Sequence, residues 1–105
     1  MMAHTLKARF ASGGSAIGVI APNRDPVLAE TIGLLGFDFY MIDGEHGALA
    51  ASDAEQLVRA CECSGIPPLA RVRSLDPKLI LQFLDAGVVG VMMPGISRRD
   101  EAEAL

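Results

Sequence analysis

Three ionisable side chains, Asp43, Glu45 and His46, fall within four positions of the stretch FYMIDGEHGA, residues 39–48. The apolar run Phe39–Ile42 leads straight into them, so they stand where a buried strand comes to the surface. A second polar set, Arg71 and Arg73, follows the apolar stretch PLARV in the same way. A histidine titrates near working pH and suits proton transfer, and an arginine keeps its charge and offers a planar fork to a carboxylate. The same residue types also serve structure. Asp before Gly is a common turn residue, a loop histidine can bond the backbone, and Arg71 can make an ion pair with a neighbouring carboxylate.

The elements that must position these groups are well punctuated. Asp25-Pro26 opens a helical pattern that closes at Gly36, and Asp76-Pro77 opens another that closes at Gly87 with the same spacing. Each has a capping Asp, Pro at the first helical position and a terminal Gly. Between them Ser52-Asp53-Ala54-Glu55 has the form of a capping box, with Leu57, Val58 and Cys61 on the inner face of the helix it opens and Gly65 after it. A further helix is expected to start near Ser97 or Arg98. The intervening segments 16–21, 37–42, 68–72 and 88–93 are short, largely apolar and without clean alternation, as expected of strands buried on both faces of a parallel sheet.

Alternating strands and helices with short connections define an α/β fold with right-handed crossovers. An open doubly wound sheet and a (β/α) barrel both satisfy that pattern. The placement of polar residues favours the barrel, because Asp43, Glu45 and His46 follow the second strand, Arg71 and Arg73 end the third, and Pro94-Gly95 follows the fourth. Barrel enzymes carry their sites on the carboxyl ends of the strands, and a closed barrel needs about 200 residues or more, so these 105 residues hold four βα units, half of one.

Composition narrows the function classes. Half of the residues are hydrophobic, which is enough for a core. The net charge is −4, with Lys and Arg scattered, so the basic footprint of a nucleic-acid binder is missing. No apolar run approaches the ~20 residues that span a bilayer, and MMAHTLKARF lacks the apolar segment of a signal peptide, so a cytoplasmic location is expected. Cys61 and Cys63 point in different directions on a helix and read as reduced thiols. The glycines of GGSAIG (13–18) lack a following Lys-Ser/Thr and precede a strand, so they read as a flexible lead-in and not as a phosphate loop. His4 falls in an N-terminus expected to fray.

Taken together, GFDFYMIDGEHGA and PPLARVRSLDPKLILQFLDAGVVGVMMPGI, with the preceding LKARFASG and DPVLAETIGLLGFD, resemble the N-terminal half of the HpcH/HpaI family of metal-dependent pyruvate aldolases. The resemblance implies a (β/α) TIM-barrel type fold, with residues 1–105 as the N-terminal part of a single barrel domain. It also implies cleavage of 4-hydroxy-2-oxo acids, such as 2-keto-3-deoxy sugar acids or 2,4-dihydroxyheptenedioate, to pyruvate or a related 2-oxo acid plus an aldehyde. Such cleavage needs a base for the 4-hydroxyl proton and a receptor for the charge that develops on the enolate. By the resemblance, His46 is the base, Asp43 orients it, and Arg71, placed by its spacing to Asp76-Pro77, meets the enolate and binds substrate.

Asp85 matches a position near the family's site and is carried over as a substrate-binding residue, beside its plain reading as a helix-end polar group. Glu45 is assigned no role. The implied cofactor is a divalent metal, Mg, Mn or Co, with its Glu and Asp ligands expected beyond Leu105, so no metal ligand is assigned here. The implied partners are the small-molecule 2-oxo acid and aldehyde, with no nucleic acid and no membrane, and the implied assembly is a homo-oligomer, a hexamer in the family. Because the closing strands are absent from the sequence, the chain reads as a piece of a longer enzyme. The alternatives are a non-catalytic half-barrel that acts as a scaffold or pairs with another copy, and a small doubly wound binding protein; the second is disfavoured because APNRDP offers no glycine loop for phosphate.

Overall fold

The computed structural model describes residues 2–46 and 49–105, with side chains from Leu6 onward. The element order is α1 (Met2–Ala11), β1 (Gly18–Ala21), α2 (Pro26–Leu34), β2 (Phe39–Asp43), α3 (Ala51–Ser64), β3 (Pro68–Arg71), α4 (Pro77–Ala86), β4 (Gly90–Met92) and α5 (Arg99–Ala104). The strands form one parallel sheet in the order β1-β2-β3-β4. Each strand lies beside its sequence neighbour and the order never reverses. A doubly wound sheet contains a point where the strand order reverses, so this half of the choice is settled in favour of the barrel type.

Alternation along the strands separates two faces. Ala21, Tyr40, Ile42, Ala70 and Val72 join Ala29, Ile32, Leu57, Val58, Cys61 and Phe83 in a core between the sheet and helices α2, α3 and α4. The opposite face carries Ile20, Met41, Leu69 and Gly90 in one row across the sheet, with Asp43, Arg71 and Met92 in the row above. Among the described strands β2 is the one buried on both sides, for Met41 is 3% exposed whereas Ile20 is 45% and Met92 43% exposed.

The two Asp-Pro helices start as their sequences imply. Asp25 Oδ1 accepts the Val27 amide at 2.9 Å, and Asp76 Oδ1 accepts the Lys78 amide at 3.0 Å. Each such cap contributes about 1 kcal/mol. Helix α3 departs from expectation by starting at Ala51, before Ser52. Its cap residue is Ala50, which has no side-chain acceptor, and Asp53 at the third helical position instead takes the Ala50 amide at 3.0 Å. The acidic half of a capping box is thus present without the hydroxyl half. The lead-in to the first strand also differs: residues expected to fray form α1, and Leu6 is 7% exposed while Arg9 pairs with Asp38 at 2.5 Å. His4 falls within that helix.

Both thiols are free, and burial pushes that of Cys61 up to about 12, which keeps it protonated and inert. Helices α2 and α3 meet closely at Gly33, where an added Cβ would strike the Ser64 side chain and reach Ile66. Two effects oppose each other in Gly33→Ala: a gain of about 1 kcal/mol in helix propensity and an overpacking cost of about 1–3 kcal/mol. Overpacking is expected to win, with a net loss of about 1 kcal/mol in urea unfolding; a raised midpoint would show that the two helices have room to spare.

Candidate active site

Register brings the site together. Asp43 ends β2 and Arg71 ends β3, the two are partners across the parallel pair, and both project on the face away from the helices. Arg71 Nη2 donates to Asp43 Oδ2 at 2.8 Å and Arg71 Nε to Asp43 Oδ1 at 3.3 Å, a two-point fork. Asp43 is 4% exposed. The row below, Met41 and Leu69, is apolar, so the pair stands on an apolar floor.

The turn after β2 is built on the same carboxylate. Asp43 Oδ1 also accepts the backbone amides of Glu45 and His46, each at 3.1 Å. Between them Gly44 donates its amide to the Arg71 carbonyl at 2.8 Å, one step beyond the end of the strand pair. A Cβ on Gly44 would stand 2.8 Å from that carbonyl oxygen and 2.9 Å from the Phe83 ring, so only glycine lets the chain cross here without displacing its neighbours. The Arg71 guanidinium holds the Asp43 carboxyl down at about 2; burial opposes this and the two amides add to it. Arg71 is raised in turn, chiefly by its bonds to Asp43.

The side chains beyond the turn complete a cluster. Glu45 Oε1 lies 3.0 Å from His46 Nε2 and 3.5 Å from Arg71 Nε. The structure therefore brings Asp43, Arg71 and His46 to one place, with a distribution of contacts that the sequence did not show. Asp43 reaches His46 through its backbone amide and spends its side chain on Arg71, while the imidazole meets Glu45. Glu45 was left without an assigned role, and its two contacts depend on how the turn folds, which spacing does not reveal. Arg73, two residues past Arg71, is exposed.

Asp85 is not brought to this cluster. It is exposed on α4 and lines an outer groove with Ala50, Ala51, Ser52, Glu55 and Gln82. Among the described residues, no three His, Cys, Asp or Glu side chains stand close enough to hold a metal ion. No helix among the described residues is long and apolar enough to cross a membrane.

A parallel sheet in sequential order, with charged groups gathered at the carboxyl ends of its strands, is part of a (β/α) barrel with its site on the usual face. Residues 16–105 match the HpcH/HpaI aldolase/citrate lyase family, and the chain belongs to that family. It is 36% identical to a 2-dehydro-3,6-dideoxy-6-sulfogluconate aldolase of Pseudomonas putida over 72% of this chain and 30% of the relative. It is 32% identical to a 5-keto-4-deoxy-D-glucarate aldolase of Escherichia coli over 92% of this chain and 38% of the relative. Among solved structures, an HpcH/HpaI aldolase/citrate lyase family protein of Burkholderia cenocepacia J2315 superposes with a TM-score of 0.87 at 30% identity, covering 95% of this chain and 40% of that one. The citrate synthase SbnG superposes with a TM-score of 0.85 at 35% identity, covering 93% and 40%. The chain spans about two-fifths or less of the length of these relatives.

The lowered Asp43 pKa has a consequence for stability. The carboxyl titrates at about 3.9 in an unfolded chain and at about 2 when folded, so its contribution is complete above about pH 4 and is lost as pH falls towards 2. Asp43→Asn is expected to destabilise the protein by about 1.5–3 kcal/mol at neutral pH, the range for hydrogen bonds to charged groups. In urea unfolding the gap between the two proteins should narrow below about pH 4; a gap that stays constant down to about pH 2 would show that the Asp43 charge is not what Arg71 holds.

Proposed function

We propose that this chain supplies the base and the anion receptor of a metal-dependent aldolase that cleaves 4-hydroxy-2-oxo acids to pyruvate, or a related 2-oxo acid, and an aldehyde. The observation that carries the reading is the Asp43-braced Arg71 guanidinium beside His46 at the strand ends, in a chain of an aldolase family. The aldolase names of the curated relatives support a sugar-acid-like substrate.

In this reading His46 takes the proton from the 4-hydroxyl. The electrons of that O–H bond form the aldehyde carbonyl, and those of the C3–C4 bond pass to the 2-oxo acid part as its enolate. Arg71 faces the developing negative charge with a guanidinium that needs no proton transfer to remain charged. Asp43 keeps the fork of Arg71 in one orientation and ties down the backbone from which His46 extends. Asp85, which lies in the outer groove of α3 and α4 and not in the cluster, is kept as a substrate-binding residue only on the strength of the family resemblance. A bound divalent cation, Mg, Mn or Co with ligands beyond Leu105, would supply further stabilisation of the enolate. A cytoplasmic homo-oligomer belongs to the same reading.

Pyruvate release from a 4-hydroxy-2-oxo acid in the presence of Mn²⁺, measured in the complete barrel, tests it. His46→Ala is expected to lower kcat by about 10²–10⁴-fold, the usual share of a general base. Arg71→Lys is expected to raise KM for the 2-oxo acid, because an ammonium cannot reproduce the planar fork. A His46→Ala protein that keeps the full rate would remove His46 from the chemistry and leave DGEH a structural turn.

A further inference from the structure

Glu45 is the one member of the cluster that the proposed chemistry leaves unused. Its Oε1 stands 3.0 Å from His46 Nε2 and 3.5 Å from Arg71 Nε, so a single carboxylate oxygen touches both the base and the anion receptor. A substrate that uses both groups must bring oxygens to the same two side chains. Unlike Asp43, which is buried and fixed by two amides and a forked ion pair, Glu45 is partly exposed, and among the described residues its side chain is held only by these two contacts. Of the two carboxylates, Glu45 is therefore the one that fewer bonds would hold against displacement.

We propose that Glu45 is an internal stand-in for substrate: its carboxylate holds Arg71 and His46 in the empty site and is displaced when the oxygens of a 2-oxo acid arrive. This rests on the roles given above to Arg71 and His46. The contact has two effects of opposite sign. It keeps the guanidinium and the imidazole turned towards one point before substrate arrives, which favours orientation. It also places a negative charge where an anionic substrate must bind, which costs affinity. Glu45 is then a positioning residue whose removal tightens ligand binding, an outcome that general damage to the site cannot produce.

The test compares the wild-type complete protein with Glu45→Gln, a variant of the same size without the charge, using oxalate with Mg²⁺ as the probe, since oxalate has the planar oxygens of a 2-oxo acid enolate. Calorimetry is expected to show Glu45→Gln binding oxalate at least about five-fold more tightly, the factor that one unit charge at about 4 Å is worth even in water. In the wild type, saturating oxalate should also move the ¹⁵N resonance of His46 Nε2 as the Glu45 contact is lost. Equal or weaker binding by Glu45→Gln, or an unmoved His46 resonance in the oxalate-bound wild type, overturns the role of Glu45 and leaves the aldolase reading standing. If oxalate binds to neither protein, the aldolase reading fails and the proposal with it.

Discussion

The bond between Asp43 and Arg71 is the constraint on which the rest of the site depends. One carboxylate, 4% exposed, accepts two guanidinium N–H groups and two backbone amides. A buried carboxylate with four donors is satisfied, and one that lost its guanidinium would leave charge in an apolar setting, at a cost of several kcal/mol. Strand pairing supplies the geometry. Because Asp43 and Arg71 are register partners on neighbouring parallel strands, their side chains start side by side, within reach of a two-point fork.

The turn carrying Glu45 and His46 follows from that bond. Gly44 passes over the Arg71 carbonyl and the Phe83 ring with no room for a Cβ, so the backbone leaves the strand in one direction. Phe83 belongs to α4 and to the core, which links the packing of the helical layer to the position of the turn. The site is thus supported from below by Met41 and Leu69, from behind by Phe83 and from the side by Arg71. Its open side, where Ile20 and Met92 remain about half exposed, faces the interior that a complete barrel encloses.

Much of this was legible in the residues. The Asp-Pro caps, the inner face of α3 and the α/β alternation depend on local chemistry, and local chemistry is written in the sequence. The start of α3 was not, because Ala50 carries no polar group to announce a cap and the preference for Ser52 was a sound local inference that the fold overrode. Helix α1 was missed because its turns lack strong periodicity and clear caps, while its anchor, the pair of Arg9 with Asp38, joins residues far apart in the chain. In the site, the choice of Arg71 over Arg73 depended on spacing, whereas the partners of each charge did not follow from spacing at all. Asp43 was expected on the imidazole and stands on the guanidinium, and Glu45, to which no role was assigned, is the group that touches the ring. Contacts between side chains on different strands depend on register, which the sequence encodes only through the whole sheet.

The most direct measurement is a double-mutant cycle on the central pair. Unfolding free energies of the wild type, Asp43→Asn, Arg71→Met and the double variant would be compared at neutral pH. The account predicts strong coupling, with the double variant less destabilised than the sum of the two single changes by about 1 kcal/mol or more. Additivity to within about 0.5 kcal/mol would mean that the two side chains do not depend on one another, and would contradict the claim that this bond organises the site.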